Sequence, residues 1–128
     1  MNWFEAWEYC RSIGLHLASI ESKYEQTFVE IFLPRLELPT TEAYWTSGTD
    51  LGKEGQFTWM ATGRSFTFSF FRPGEPNNRF GSEDCIEMVV TPGVTSYSWN
   101  DRNCFAKAYV LCQQDVRYPD KLFGVSSS

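Results

Sequence analysis

The chain has 128 residues and a mass of 14.8 kDa, which is enough for one domain with its own core but too little for two ordinary domains. Its formal net charge is −5, so it lacks the basic surface that nucleic-acid binding by counterion release requires. Hydrophobic residues make up 42% of the chain, which predicts a folded rather than a disordered protein. No apolar run approaches the roughly 20 residues of a membrane span.

Two amphipathic helices are predicted in the first third of the chain. The first covers residues 2–13, where Asn2 and Glu5 have the spacing of a capping box. Its apolar stripe carries Cys10 toward the core. The second helix begins after Ser22 and ends or kinks at Pro34. The apolar stripe of this second helix consists of Phe28, Ile31, Phe32 and Leu36.

The rest of the chain has the pattern of β-strands separated by loops. The alternation of Phe66, Phe68 and Phe70 with polar residues predicts a strand over 65–71. The other predicted strands are 15–20, 44–47, 56–59, 85–90, 96–100 and 109–112. Two helices followed by strands predict an α+β domain, with the helices packed on small, mostly antiparallel sheets.

One irregular segment is unusually rich in oxygen-bearing side chains. Residues 72–84 show no helix or strand period, and a loop this long in a small domain is usually functional or disordered. Its carboxylates and amides lie close together in the sequence, and Trp99-Asn100-Asp101 adds two more oxygen side chains. Because Ca2+ takes about six to eight oxygen ligands in flexible geometry, the two segments predict one calcium site.

The four cysteines indicate a disulfide framework. They lie at positions 10, 85, 104 and 112, without a Cys-x-x-Cys pair, and the single histidine, His16, lies far from the last three of them in the sequence. This spacing excludes a tetrahedral zinc site. An even number of cysteines favours disulfides and an oxidising compartment, but the sequence alone leaves every pairing open.

These motifs, in this order and spacing, resemble a C-type lectin-like domain of the short form, similar to those of secreted invertebrate C-type lectins. The resemblance covers residues 1–113 and leaves 114–128 as a polar C-terminal tail. Most of the family's first strand is missing, and no signal peptide is present, so we expect a mature or trimmed secreted form. The matching motifs are Cys10, LASIES at 17–22, Trp45, GQFTW at 55–59, EPN at 75–77, EDC at 83–85, WND at 99–101 and VLC at 110–112.

The resemblance implies the disulfides, the metal ligands and the sugar contacts. The expected disulfides are Cys10–Cys112 and Cys85–Cys104, and the peptide bond before Pro76 should be cis. The principal calcium site would consist of Glu75, Asn77, Glu83, Asn100 and Asp101. The same residues would bind the sugar, together with Arg79 and Phe80. An auxiliary calcium site would consist of Asp50, Glu54, Asn78, Glu83 and Asp84.

The resemblance also implies a function. The expected protein is a calcium-dependent lectin without catalytic activity. Its Glu-Pro-Asn triplet is typical of lectins for mannose, fucose and N-acetylglucosamine, and its partners would be glycans on microbial or host surfaces, as in innate immunity. Two alternatives stay open, namely a module that binds a protein partner with calcium mainly structural, and a lectin for galactose-type sugars. The sequence leaves the oligomeric state open.

Overall fold

The computed structural model describes residues 1–36, 43–78, 81–90 and 97–114. Two α-helices and eight short strands follow one another there, which confirms the predicted α+β class. The helices are α1 (Trp3–Ser12) and α2 (Lys23–Phe32), the latter followed by a 3₁₀ turn at Leu33–Leu36. The strands are β1 (His16–Leu17), β2 (Ala43–Thr49), β3 (Thr58–Trp59), β4 (Arg64–Ser65), β5 (Cys85–Val90), β6 (Tyr97–Arg102), β7 (Tyr109–Val110) and β8 (Cys112–Gln113).

The strands form two sheets that share no strand. The larger sheet has the order β4-β3-β2-β5-β6, with β7 pairing parallel to β2. The smaller sheet pairs β1 with β8. Strands β5 and β6 form the longest antiparallel ladder, which runs from Cys85 opposite Arg102 to Val90 opposite Tyr97. This ladder positions the Trp-Asn-Asp motif, since Asn100 and Asp101 lie in the middle of β6.

Helix α1 is anchored at both ends. At its start Asn2 and Glu5 form the predicted capping box, with bonds of 2.8 and 2.9 Å. Near its end Cys10 forms a disulfide with Cys112, as predicted. In the chain-entropy model a bridge between residues 102 apart removes about 4–5 kcal/mol of unfolded-state entropy. The helix is thereby tied to the last strand of the small sheet.

Helix α2 packs through a buried glutamine, Gln26, and through Val29, rather than through its predicted apolar stripe. Gln26 is buried, donates to the Tyr97 carbonyl at 2.9 Å and accepts from the Trp99 indole at 2.9 Å. Phe28, Ile31 and Phe32 lie on the other side of the helix and are exposed. An amphipathic helix ordinarily turns its apolar stripe toward the core, whereas this stripe faces solvent. The polar contacts to β6 set the rotation of the helix and turn the stripe outward.

The strand predicted over 65–71 is also wrong beyond its first residue. Strand β4 ends at Ser65, and the segment that follows bends so that its rings reach Trp99. The rings of Phe66 and Phe68 lie edge-on to this tryptophan at centroid distances of 5.6 and 5.7 Å. The alternation of phenylalanines therefore reflects rings that contact one indole, rather than a pleated strand.

The same segment then runs along the outer edge of β6. The Trp99 N–H donates to the Phe70 carbonyl at 2.8 Å, and the Arg72 N–H donates to the Trp99 carbonyl at 3.1 Å. These two bonds satisfy backbone groups that an edge strand would otherwise leave unpaired. They also deliver the chain to residue 75 beside the motif on β6.

The Thr-Ser-Gly sequence after Trp45 fits the core without loss of hydrogen bonds. Thr46 is fully buried and donates to the Ile86 carbonyl at 2.8 Å. A Cβ at position 48 would lie 2.7 Å from the Phe66 ring and 3.0 Å from the Ile86 Cβ. Gly48 is therefore required by close packing.

In the described part of the chain no helix is long and apolar enough to cross a membrane.

We predict that Gln26→Ala lowers the free energy of unfolding by about 3 kcal/mol. The substitution leaves the Trp99 indole N–H and the Tyr97 carbonyl buried without their partner, and each such group costs about 1–3 kcal/mol. Chemical denaturation with the disulfides intact measures this effect. Gln56→Ala, on an exposed side chain, is the matched control, and an equal change in both variants would contradict the role of Gln26.

Candidate metal and ligand site

Asp101 holds the long loop against β6. Its side chain is fully buried. Its Oδ1 accepts from the Asn77 N–H at 3.0 Å, and its Oδ2 accepts from the Asn78 N–H at 2.6 Å. Each carboxylate oxygen can accept more than one bond, so both oxygens keep capacity for a further ligand. The predicted EPN loop and the predicted WND strand are thus directly bonded.

The Glu75 carboxylate lies beside Asn77 and Asp101. The Glu75–Pro76 bond is cis, as predicted, and Glu75 Oε2 accepts from the Asn77 side-chain amide at 3.4 Å. The other oxygen, Oε1, is buried and has no hydrogen-bond partner. Burial raises the pKa of the Glu75 carboxyl, and the adjacent Asp101 carboxylate raises it further. A buried oxygen without a donor, next to a second carboxylate, fits a site for a cation.

Glu83 lies near the end of the loop, two residues before Cys85. Its N–H donates to the Asn78 side-chain oxygen at 3.0 Å, which closes the turn between the two residues. Its negative charge also raises the pKa of Glu75, by less than burial and Asp101 do. The structure therefore places Glu83 in electrostatic range of Glu75. The Cys85–Cys104 disulfide, which was predicted, ties the end of this loop to the chain after β6.

Asn100 is held by a residue that the sequence reasoning missed. Its side-chain Nδ2 donates to Glu87 Oε2 at 2.7 Å, and Arg102 donates to Glu87 Oε1 at 2.9 Å. Glu87 is buried in β5. The signal in the sequence was a single carboxylate in an otherwise apolar strand, Cys85–Val90. This pattern predicts a strand but does not indicate which distant cation pairs the charge.

A second carboxylate cluster lies beside the loop. Ligand oxygens of Asp50, Glu54 and Asp84 all lie within 4.8 Å of one another. Asp50 Oδ2 accepts from the Gly55 N–H at 2.9 Å, whereas the buried Oδ1 has no partner. Burial raises the pKa of the Asp50 and Asp84 carboxyls, and Glu54 adds to the effect on Asp50. This cluster could hold a metal ion.

The structure therefore groups the predicted residues around two centres. Glu75, Asn77 and Asp101 meet at the first, with Glu83 in electrostatic range and Asn100 next to Asp101 on β6. Asp50, Glu54 and Asp84 meet at the second. Asn78 lies between them, because it bonds Asp101 through its N–H and Glu83 through its side chain. Arg79 and Phe80 lie outside the described residues.

Comparison with known proteins agrees with this fold. The family model described as "Lectin C-type domain" matches residues 1–114. The chain belongs to the C-type lectin family. C-type lectin 37Db of Drosophila melanogaster is 36% identical over 112 residues, which are 88% of this chain and 70% of that protein. This family is carbohydrate-binding and non-enzymatic, in agreement with the prediction that the chain is not an enzyme.

Solved structures are similar to most of this chain. The cow carbohydrate-recognition domain of CD23, determined in the presence of a GlcNAc2Man3 oligosaccharide, has a TM-score of 0.72 and 29% identity. It covers 88% of this chain and 78% of its own. Herring type II antifreeze protein has a TM-score of 0.71 and 30% identity. This match covers 88% of this chain and 81% of the antifreeze protein chain. A carbohydrate-recognition domain and an antifreeze protein thus share this fold, so the ligand has to be argued from the residues of the site.

We predict that Asp50→Asn stabilises the metal-free protein. Asparagine keeps an acceptor for the Gly55 N–H and removes the one buried charge of three clustered carboxylates. The expected gain is on the order of 1 kcal/mol, a rise of a few degrees in melting temperature. Thermal unfolding in EDTA measures it, with Glu8→Gln on the exposed face of α1 as control. A lower melting temperature than wild type would contradict the electrostatic account of this cluster.

Proposed function

We propose that this chain is a calcium-dependent lectin for mannose-type sugars. The observation that carries the proposal is Glu75 Oε1, a buried carboxylate oxygen without a donor beside the carboxylate of Asp101. Two negative charges this close are stabilised by a cation between them. The donors around them are carboxylates and amides, which are the ligands that Ca2+ prefers.

Glu75, Asn77, Glu83, Asn100 and Asp101 would hold this ion. When bound, it would supply coordination positions for two neighbouring hydroxyls of a sugar. The same side chains then bind those hydroxyls directly, because the amides of Asn77 and Asn100 donate and the carboxylates of Glu75 and Glu83 accept. Each ligand thus serves both the ion and the sugar, which couples sugar binding to calcium.

The order of acceptor and donor along the loop determines the sugar. Glu75 followed by Asn77 suits equatorial 3- and 4-hydroxyls, as in mannose, fucose or N-acetylglucosamine, and the galactose type of the family has Gln-Pro-Asp here. The related CD23 domain studied with a mannose-containing oligosaccharide supports this direction. Arg79 and Phe80 are proposed as further sugar contacts.

A second calcium is proposed at Asp50, Glu54 and Asp84, with Asn78 and the Glu83 carbonyl completing the site. The buried oxygen of Asp50 supports it in the same way as Glu75 supports the first. Asn78 is neutral where the family often has aspartate, so this site should bind calcium more weakly. Both ions would stabilise the loop that they share.

The setting that fits this chemistry is outside the cell. Two disulfides favour an oxidising compartment, and the calcium concentration there suits weak sites. One shallow site should bind a monosaccharide with a dissociation constant of about 1 mM. Useful affinity for glycans on microbial or host surfaces then requires several copies bound together.

We predict that calcium and mannose bind sequentially. Isothermal titration should show calcium binding first, then mannose with a dissociation constant of about 1 mM, and no mannose binding in EDTA. A glycan array with calcium and with EDTA tests the same dependence over many sugars. Binding that survives EDTA, or calcium binding without any glycan, would overturn the proposal and favour a protein-binding module.

We predict that Glu75→Gln with Asn77→Asp reverses the preference for mannose over galactose. The pair exchanges donor and acceptor across the loop while keeping the number of oxygen ligands, so calcium binding should persist. Competition by each monosaccharide for immobilised glycan measures the change, which we expect to be about tenfold, or 1.4 kcal/mol.

Glu8→Gln with Asn103→Asp makes the same chemical changes on exposed residues and serves as the control. A loop variant that binds calcium and still prefers mannose would show that residues outside the triplet determine the sugar.

A further inference from the structure

Glu87 lies directly across the sheet from a proposed calcium ligand. In the ladder of β5 and β6, Glu87 is the partner of Asn100, and only 5% of its surface is exposed. One carboxylate oxygen accepts from Asn100 Nδ2 at 2.7 Å and the other accepts from Arg102 at 2.9 Å. Both oxygens of a buried carboxylate are therefore bonded, one to a charged donor and one to the amide of the site.

This contact determines which way the Asn100 amide faces. An ionised carboxylate only accepts hydrogen bonds, so it selects the Nδ2 side of the amide. The reversed amide would place two oxygens 2.7 Å apart, where the pair would repel. With Nδ2 toward Glu87, the side-chain oxygen of Asn100 has to point away from β5. Arg102 supplies the cation that pairs the buried charge.

We propose that Glu87 is a positioning residue for the calcium and sugar site and acts through Asn100. It directs the Asn100 oxygen toward the ion and leaves the second N–H of the amide for a sugar hydroxyl. The proposal rests on the proposed calcium site, and it adds the residue that orients one of its ligands. Partners that orient metal ligands typically change metal affinity by about 10–100-fold when they are replaced.

The test is Glu87→Gln in a double-mutant cycle with Asn100→Ala. Glutamine has one side-chain oxygen, and Arg102 competes for it, so the glutamine nitrogen then faces Asn100 and attracts its oxygen away from the ion. We expect calcium affinity to fall about tenfold in the wild-type background. In the Asn100→Ala background the same substitution should have almost no effect, because the residue it acts through is gone.

Glu30→Gln is the matched control. Glu30 is a half-buried carboxylate that also bonds β6, through the Tyr97 N–H at 3.2 Å, but at the end away from Asn100. Glu30→Gln should lower the melting temperature without changing calcium affinity. If Glu87→Gln keeps wild-type calcium affinity, or loses the same factor in both backgrounds, the proposal is wrong and Glu87 is only structural.

A measurement on the wild-type protein covers the case in which Glu87→Gln does not fold. In the calcium-free protein, NMR of the Asn100 side-chain amide should show one proton shifted downfield and protected from exchange by its bond to a carboxylate. Two equivalent, rapidly exchanging protons would overturn the proposal. If the wild-type protein binds no calcium, the proposed function fails, and this signal still reports whether Glu87 fixes the amide.

Discussion

The two hydrogen bonds that Asp101 accepts from the Asn77 and Asn78 N–H groups determine the geometry of this molecule's loop region. They join an irregular segment to the rigid β5–β6 ladder through a fully buried carboxylate. Every other proposed ligand on the loop is positioned relative to this attachment. Since Asn78 also bonds Glu83, the same attachment reaches both carboxylate clusters. The two proposed metal sites therefore both depend on the hydrogen bonds that attach the loop to Asp101.

When no cation is bound, repulsion between the carboxylates opposes the attachment of the loop to Asp101. Asp50 and Glu75 each have a buried oxygen without a donor, and burial raises the pKa of both carboxyls. The Cys85–Cys104 disulfide and the β5–β6 pairing hold the base of the loop in place regardless. Asp101, whose carboxylate repels that of Glu75, lies on β6, so the repulsion acts between the loop and the sheet that carries this ligand.

Much of the fold and of the candidate site could be predicted from the sequence, for reasons that differ between features. Capping at Asn2 is a local rule, and both disulfides and the cis bond at Pro76 came with the family resemblance. The strand predicted after Ser65 failed because alternation cannot distinguish a pleated strand from rings gathered around Trp99. Glu87 was missed because its partners, Asn100 and Arg102, are distant in sequence and meet it only through strand register. The assignment of the metal ligands stays a prediction.

The buried Gln26 makes the contact between α2 and β6 specific as well as stable. Apolar side chains pack with similar energy after small rotations or shifts of a helix, whereas two hydrogen bonds at 2.9 Å tolerate only one alignment. The helix therefore has one permitted orientation, and its more apolar side remains in water. Because Trp99 precedes Asn100, the glutamine also limits sliding of the strand that carries the binding motif. A polar residue in the interior thus defines where the surface residues stand.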